Sequence, residues 1–330
     1  MTQAPLTDAA SANDGGTVLV TGAFGNVGLA VVEALVARGH RVRCFELPTR
    51  RGRRCARRLG DAVEVIWGDL RDAPAVERAA RGVAVVVHMA FVLPPASERD
   101  PEAARAVNVG GTANVVAAAR AQVPAPRLLF CSSYHVHRYR ADRTPPIGVD
   151  EPVEASDHYA EHKIEAERVV RESGLGAAVL RLSSVLTDRS PDRENLRIMF
   201  DIPLDTRFEL VHLDDAGVAF ANAVARPAVD GKVLFVGGGP RCQTTYRDFY
   251  ARVFEAFGLD PLPESAFRTE PPFIGDWLDT TESQRLLEYQ RHGIDDWIEP
   301  RRARGLRRAL TRAVAPLVRR WMVGVSPYFR

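Results

Sequence analysis

Residues 17–28 read Thr17-Val18-Leu19-Val20-Thr21-Gly22-Ala23-Phe24-Gly25-Asn26-Val27-Gly28, and LAVVEALVARG carries on from Leu29 to Gly39. The run TVLVT is apolar and β-branched, which predicts a buried strand; the apolar positions after Gly28 recur at helical spacing, and Gly39 closes that helix. Glycines between a strand and a helix allow a tight turn, contact of the backbone with a pyrophosphate, and close packing of helix on sheet. The helix N-terminus adds free N–H groups and the positive end of its dipole. In this setting Gly22, Phe24, Gly25, Asn26, Val27 and Gly28 predict a dinucleotide site. Glu46 ends the next strand, RVRCFEL, 18 residues after Gly28. A carboxylate there accepts hydrogen bonds from ribose hydroxyls and repels a 2′-phosphate, which favours NAD over NADP. Arg50, Arg51 and Arg53 are the competing feature, since they could hold that phosphate.

Outward from this stretch the alternation persists. VEVIWGD, a helix around Ala75 to Ala80, VAVVVHMAF, a long helix from Glu102 to Ala121, RLLFCSS, a helix from Tyr159 to Glu172 and AAVLRL follow in turn. Several strands are apolar on both faces. The pattern predicts an α/β fold: a Rossmann-type doubly wound parallel sheet with its crevice at the carboxyl ends of the strands. After Arg181 the rhythm changes: residues 183–212 read as irregular, DDAGVAFANAVARP as a helix capped by Asp214 or Asp215, and KVLFVGGG as one more strand. The expected organisation is a loose lead-in over residues 1–16 and a dinucleotide-binding domain over 17–182, with 213–239 returning to it. A smaller, mostly helical C-terminal substrate lobe is expected from 183–212 and 240–299, and a basic tail over 300–330.

The 330 residues are 46% hydrophobic and 26% charged, which suits a packed globular chain and excludes a disordered or collagenous one. Cys44, Cys55, Cys131 and Cys242 lie far apart, so neither a disulfide framework nor a zinc module is encoded, and a reducing cytoplasm is expected. The N-terminus lacks the basic start and apolar core of a signal peptide, and no run of about 18 apolar residues predicts a membrane span. No nucleic-acid partner is expected. Of the 44 basic residues only Lys163 and Lys232 are lysine, which directs attention to positions where a compact ammonium of tunable pKa matters. Nine arginines and no acid lie between Pro300 and Arg330, leaving an acidic body and a basic tail. Leu306, Leu310, Ala313, Leu317 and Trp321 form one stripe of that tail at helical spacing. Docking of the stripe on the chain's own acidic body is expected, ahead of a peripheral contact with an anionic membrane.

Tyr159-Ala160-Glu161-His162-Lys163 places a phenol and an ammonium four apart, on one face of a helix. A free phenol titrates near 10. A neighbouring ammonium and a positively charged nicotinamide both favour the phenolate, which lets Tyr159 exchange a proton near neutrality. Ser133, at the carboxyl end of its strand, faces the crevice, where a hydroxyl can donate to a developing alkoxide. His135, His137, His158 and His162 invite a metal reading, but no acid or cysteine joins them at ligand spacing, and no metal is expected. No basic partner for Cys131 or Cys242 is evident.

At these residues the chain resembles the extended short-chain dehydrogenase/reductases, also called the NAD-dependent epimerase/dehydratase family, from about Val18 to Trp297. TGAFGNVG matches TGxxGxxG, GDL places Asp69 and Leu70 at the adenine, and His88-Met89-Ala90 matches the HxA segment beside the cofactor. NVGGT from Asn108 matches the Asn-x-x-Gly-Thr of the fourth helix, and CSS ends at Ser133. The resemblance implies that Tyr159 is the general acid/base, that Lys163 lowers its pKa and holds the nicotinamide ribose, and that Ser133 binds the reacting oxygen. Phe91, Tyr134, His135 and Ser184 are the expected pocket for a small-molecule substrate. Dehydratases of the family carry an acid pair where Tyr134 and His135 stand, which disfavours dehydration. Nucleotide-sugar members carry Arg-x-x-Asn and Gly-Pro where Arg181 leads to Ser184 and Thr187-Asp188, which disfavours that substrate class. The expected activity is hydride transfer between NAD and a secondary alcohol or ketone. The alternatives are an epimerase that oxidises transiently and a regulatory or scaffold protein that binds NAD without turnover. The family also implies a homodimer through the helices of Asn108 and Tyr159.

Overall fold

The computed structural model describes residues 16–138, 144–187, 193–270 and 275–329. The first half runs β1 (Thr17–Thr21), α1 (Asn26–Ala37), β2 (Arg41–Glu46), α2 (Arg50–Leu59), β3 (Val63–Trp67), α3 (Ala73–Ala80), β4 (Val83–His88), α4 (Ala96–Arg99), α5 (Pro101–Arg105), α6 (Gly111–Arg120) and β5 (Arg127–Ser133). Then come α7 (His158–Arg171), β6 (Ala177–Leu182), β7 (Ser184–Leu186), α8 (Arg193–Phe200), β8 (Arg207–His212), α9 (Leu213–Ala225), β9 (Val233–Val236), β10 (Gln243–Thr245), α10 (Tyr246–Phe257), α11 (Thr281–Leu287), α12 (Ile294–Ile298) and α13 (Gly305–Val323). Seven strands form one sheet in the order β3-β2-β1-β4-β5-β6-β9, and all its pairings are parallel. The chain leaves β1 toward one edge and returns at β4 toward the other, so the crevice opens between these two strands.

Alternate residues of each strand point to opposite faces. Val18 and Val20 pack with Val31, Leu35, Ala219 and Phe220 of α1 and α9. Leu19 and Val86 pack on the other face with Ala79, Val115, Ala166 and Val170 of α3, α6 and α7. Burial of each large apolar side chain stabilises by roughly 1.5 to 3 kcal/mol. The second lobe has its own core, with Phe200, Tyr246, Tyr250, Phe254 and Phe267 around Val323.

Three expectations change, and one helix joins those expected. The long helix from Glu102 is α5 and α6 joined through a π-helical turn over Ala106–Gly110. RRGRRCARRL, despite six arginines, is α2: Cys55, Ala56 and Leu59 pack against the main core, Thr49 caps it by accepting from the Gly52 N–H, and Arg58 pairs with Glu33. Residues 183–212 are not merely irregular: β7 and β8 pair in parallel and β10 joins β8 antiparallel. The cap of α9 is His212, whose Nδ1 accepts from the Asp214 N–H. Asp215 is fully buried instead and accepts from the Arg291 and His292 N–H groups and from His292 Nδ1.

The tail also departs from expectation. Leu310, Leu317 and Trp321 are 60, 72 and 55% exposed, and the Leu306 side chain lies outside those described. The stripe therefore does not dock on the body. The opposite face of α13 does: Val323 is buried in the core of the second lobe, with Met322 and Val325 against it. A cavity of about 490 Å³, lined by residues that include Phe254, Leu262, Pro316 and Met322, remains between α13 and α10.

Candidate active site

The glycine loop has the geometry that its sequence demands. Gly22 has φ +64°, and a Cβ there would stand 2.6 Å from Ala90 Cα; one on Gly28 would stand 2.1 Å from the Gly22 carbonyl oxygen. Among the described residues no side chain caps α1. Its first N–H groups and positive dipole end are left for an anion, so the loop fits a pyrophosphate. Asn26, Val27 and Gly28 form that first turn. Glu46 closes the site at the end of β2: Oε2 accepts from the Phe24 N–H at 3.1 Å and Oε1 from the Leu47 N–H at 3.0 Å. Arg51 donates to Asn26 Oδ1 at 2.7 Å, and Arg53 lies 5.5 Å from the Trp67 ring. Asp69 is clasped by Arg71 at 2.7 and 3.0 Å, a hydrogen-bonded pairing that holds its carboxyl below the usual range. Asn114 donates to the Leu70 carbonyl at 2.8 Å.

A buried polar chain fixes the end of β4. Thr21 Oγ1 accepts from the Met89 and Ala90 N–H groups at 3.2 and 3.3 Å and stands 2.7 Å from His88 Nδ1. His88 Nε2 is 2.9 Å from Thr112 Oγ1, which itself donates to the Asn108 carbonyl. The pattern closes if Nε2 carries the proton and Nδ1 accepts from Thr21, with a neutral ring. Burial, reinforced by the Lys163 charge, pushes the imidazole down to about 3. The Asn108 amide holds Val92 on both sides, accepting from its N–H at 2.6 Å and donating to its carbonyl at 3.1 Å. Phe91 is set in place between these two anchors.

Ser133 ends β5, and Asp157 starts α7 by accepting from the Ala160 N–H at 2.8 Å. Glu98 accepts from the His158 and Tyr159 N–H groups at 3.2 and 3.1 Å, which satisfies the remaining first-turn donors. Tyr159 and Lys163 therefore emerge together, 9 and 3% exposed. Burial pushes the Tyr159 phenol well above its ordinary value, and a hydrogen bond with Ser133 works in the other direction. Lys163 Nζ donates to the Cys131 carbonyl at 2.6 Å and lies 3.5 Å from the Phe91 ring centroid and 5.9 Å from that of Tyr159. Burial lowers this ammonium to about 8. Phe91 and His135 stand edge-on to the Tyr159 ring at 5.8 and 5.6 Å. Tyr134 packs with Ile147, Phe235 and Leu278, its hydroxyl 3.3 Å from Ser184 Oγ.

Cys131 has the basic neighbour that its sequence did not reveal. Lys163 pulls its thiol down, but burial is the larger effect and leaves it raised. The four histidines go to different partners: His135 to Asp157 at 2.9 Å, His137 to Arg181 at 2.9 Å, His158 to Glu161 at 3.4 Å and His162 to Asn108 at 3.4 Å. Three other potential ligands, His212, Asp214 and His292, bring one donor atom each within 4.8 Å of the others. Asp157 was findable as an acid just before a helical run. Glu98 left no signal, because it reaches the N-terminus of α7 from some 60 residues earlier.

Residues 18–202 match the family described as the NAD-dependent epimerase/dehydratase family. The chain is 34% identical over 189 residues to an L-arabinose 1-dehydrogenase (NAD(P)(+)) of Haloferax volcanii, covering 52% of this chain and 67% of that protein. It is 32% identical over 280 residues to methionine adenosyltransferase 2 subunit beta of Rattus norvegicus, covering 78% of this chain and 77% of that one. Among solved structures, UDP-glucuronic acid 4-epimerase of Bacillus cereus, in complex with UDP-glucuronic acid and NAD, superposes with a TM-score of 0.72 at 17% identity over 86% of this chain and 96% of its own. With more than half of its length matched to that one description, the chain belongs to the NAD-dependent epimerase/dehydratase family of enzymes.

Proposed function

We propose that the protein is an NAD-linked oxidoreductase that transfers a hydride between the nicotinamide and a secondary alcohol or ketone of a small metabolite. The convergence of Ser133, Tyr159 and Lys163 at the carboxyl end of β5 carries this reading. NAD, when bound, supplies the acceptor or donor of the hydride. Gly22, Gly25, Gly28 and the open N-terminus of α1 would hold its pyrophosphate, Glu46 its adenosine ribose, Asp69 and Leu70 its adenine, and Lys163 its nicotinamide ribose. Tyr159 moves the proton at the substrate oxygen. As a buried phenol it is poised to donate to a ketone oxygen; in the oxidative direction it must first become phenolate, which the Lys163 ammonium favours. Ser133 donates a hydrogen bond to the charge that develops on that oxygen. Phe91 and His135, which flank the phenol, would wall the pocket together with Tyr134 and Ser184. The protein would act in the cytoplasm as a homodimer.

The likeness to a protein named as a subunit of a methionine adenosyltransferase leaves room for a second reading, a regulatory or scaffold protein that binds NAD without turnover. The complete hydroxyl, phenol and ammonium set speaks against it. Absorbance at 340 nm with NAD and a panel of secondary alcohols separates the outcomes. Net NADH formation supports the dehydrogenase, isomerisation without NADH an epimerase, and tight NAD binding without turnover the second reading. Tyr159→Phe is expected to lower turnover on the order of 10² to 10⁴-fold and to leave the Kd for NADH almost unchanged. A variant retaining half the parent rate removes Tyr159 from the chemistry. NADH is expected to bind more tightly than NADPH, since Glu46 would face a 2′-phosphate; the reverse order would assign that corner to Arg51 and its neighbours.

A further inference from the structure

We propose that α13 is a membrane-surface anchor that seats this protein on anionic lipid. Leu310, Val314, Leu317 and Trp321 are 60, 47, 72 and 55% exposed, and their spacing of four, three and four places them on one narrow stripe. At 1.5 Å per residue that stripe runs about 16 Å along the helix. The face turned to the body has the complementary spacing: Arg308, Thr311, Ala315, Val318 and Met322 are half-buried, and Val323 is buried. The helix is thus docked by one side and presents an apolar stripe on another.

Both ends of the tail are tied down, so the stripe is held in a fixed orientation. The Ala303 N–H donates to the Ala256 carbonyl at 2.7 Å, Ser326 Oγ to the Ala266 carbonyl at 2.5 Å, and the Tyr328 hydroxyl bonds to Asp201. Beyond the helix, Tyr328 and Phe329 add further exposed aromatic surface, 36 and 44%.

Charge identifies the occupant. The segment from Pro300 to Arg330 carries nine arginines and no acid, and Arg312, Arg319 and Arg320 are exposed along the helix that bears the stripe. Arg320 flanks the stripe, while Arg312 and Arg319 stand on the far side of the helix beside the cavity; an apolar stripe on an arginine-rich helix, with a tryptophan at its end, matches the boundary between acyl chains and anionic headgroups. A second copy fits worse, because pairing through α13 brings together two segments that each carry nine arginines and no acid. This anchor operates whatever substrate the active site takes.

Sedimentation of the full chain with vesicles tests it. The protein is expected to pellet with phosphatidylcholine vesicles containing phosphatidylglycerol at low salt, to stay in solution with phosphatidylcholine alone, and to be released as ionic strength rises. The double variant Leu317→Ser, Trp321→Ser should lose partitioning on the order of tenfold or more with an unchanged Tm, since both side chains are exposed. Three results overturn the proposal. One is failure of the unmodified chain to pellet with anionic vesicles at low salt; another is equal binding by the double variant. The third is a dimer in light scattering that the double variant dissolves, which assigns the stripe to a second copy.

Discussion

Lys163 is a charge kept where burial works against it. Its folded pKa is about 8, against about 10.4 for a free lysine. The unfolded chain therefore binds more protons between these values, so this residue's contribution makes stability rise with pH from about 8 to 10. Below 8 the full cost remains, on the order of 2 to 4 kcal/mol. Lys163→Met is expected to abolish turnover and to gain stability over the parent at pH 7, with the gain shrinking as pH rises to 10. Urea melts at pH 7 and 9.5 measure this, and a gain that does not change with pH contradicts the burial argument. The sequence singled out Lys163 because arginine is used almost everywhere else. It could not reveal the Cys131 carbonyl or the Phe91 ring, since both come from strand ends that only the folded sheet brings to α7.

At the scale of elements, one buried network joins β5, α7 and β6. Glu167 accepts from Arg181 at 2.7 and 2.9 Å and from Ser132 Oγ at 2.5 Å, while Arg181 also reaches His137 and the Val149 carbonyl. Both side chains of the ion pair are at most 5% exposed. Removal of the carboxylate strands a guanidinium away from water, so Glu167→Ala is expected to cost about 3 to 5 kcal/mol. The loss should be nearly independent of salt, because the pair lies out of reach of screening ions. A variant within about 0.5 kcal/mol of the parent in chemical denaturation would show that the pair is dispensable. Elements of this kind divide by how they announce themselves. Strands β1, β4 and β5 are apolar runs and were legible. The arginine-rich α2 was not, because its short apolar side of Cys55, Ala56 and Leu59 is outnumbered by six arginines, and the short strands β7 and β8 were not, because pairing with distant partners holds them.

At the scale of the molecule, the tail was legible as an amphipathic helix but not in its orientation. Two faces of α13 are apolar enough to bury, and only the shape of the second lobe selects the one bearing Met322 and Val323. Val323→Ala should therefore destabilise by on the order of 1 to 2 kcal/mol, whereas Leu317→Ser should leave the thermal melt where it was. Equal losses from both would return the exposed stripe to the interior. After β6 the chain passes between its two sheets three times. β7 and β8 belong to the small sheet, α9 returns to pack on α1, β9 completes the large sheet, and β10 crosses back. A single cut between β6 and β10 leaves parts of at least one sheet on both fragments. Neither lobe is one continuous stretch of the gene, so a nick in this region should yield two pieces that stay associated and melt together, and neither should be recoverable as a separately folding fragment.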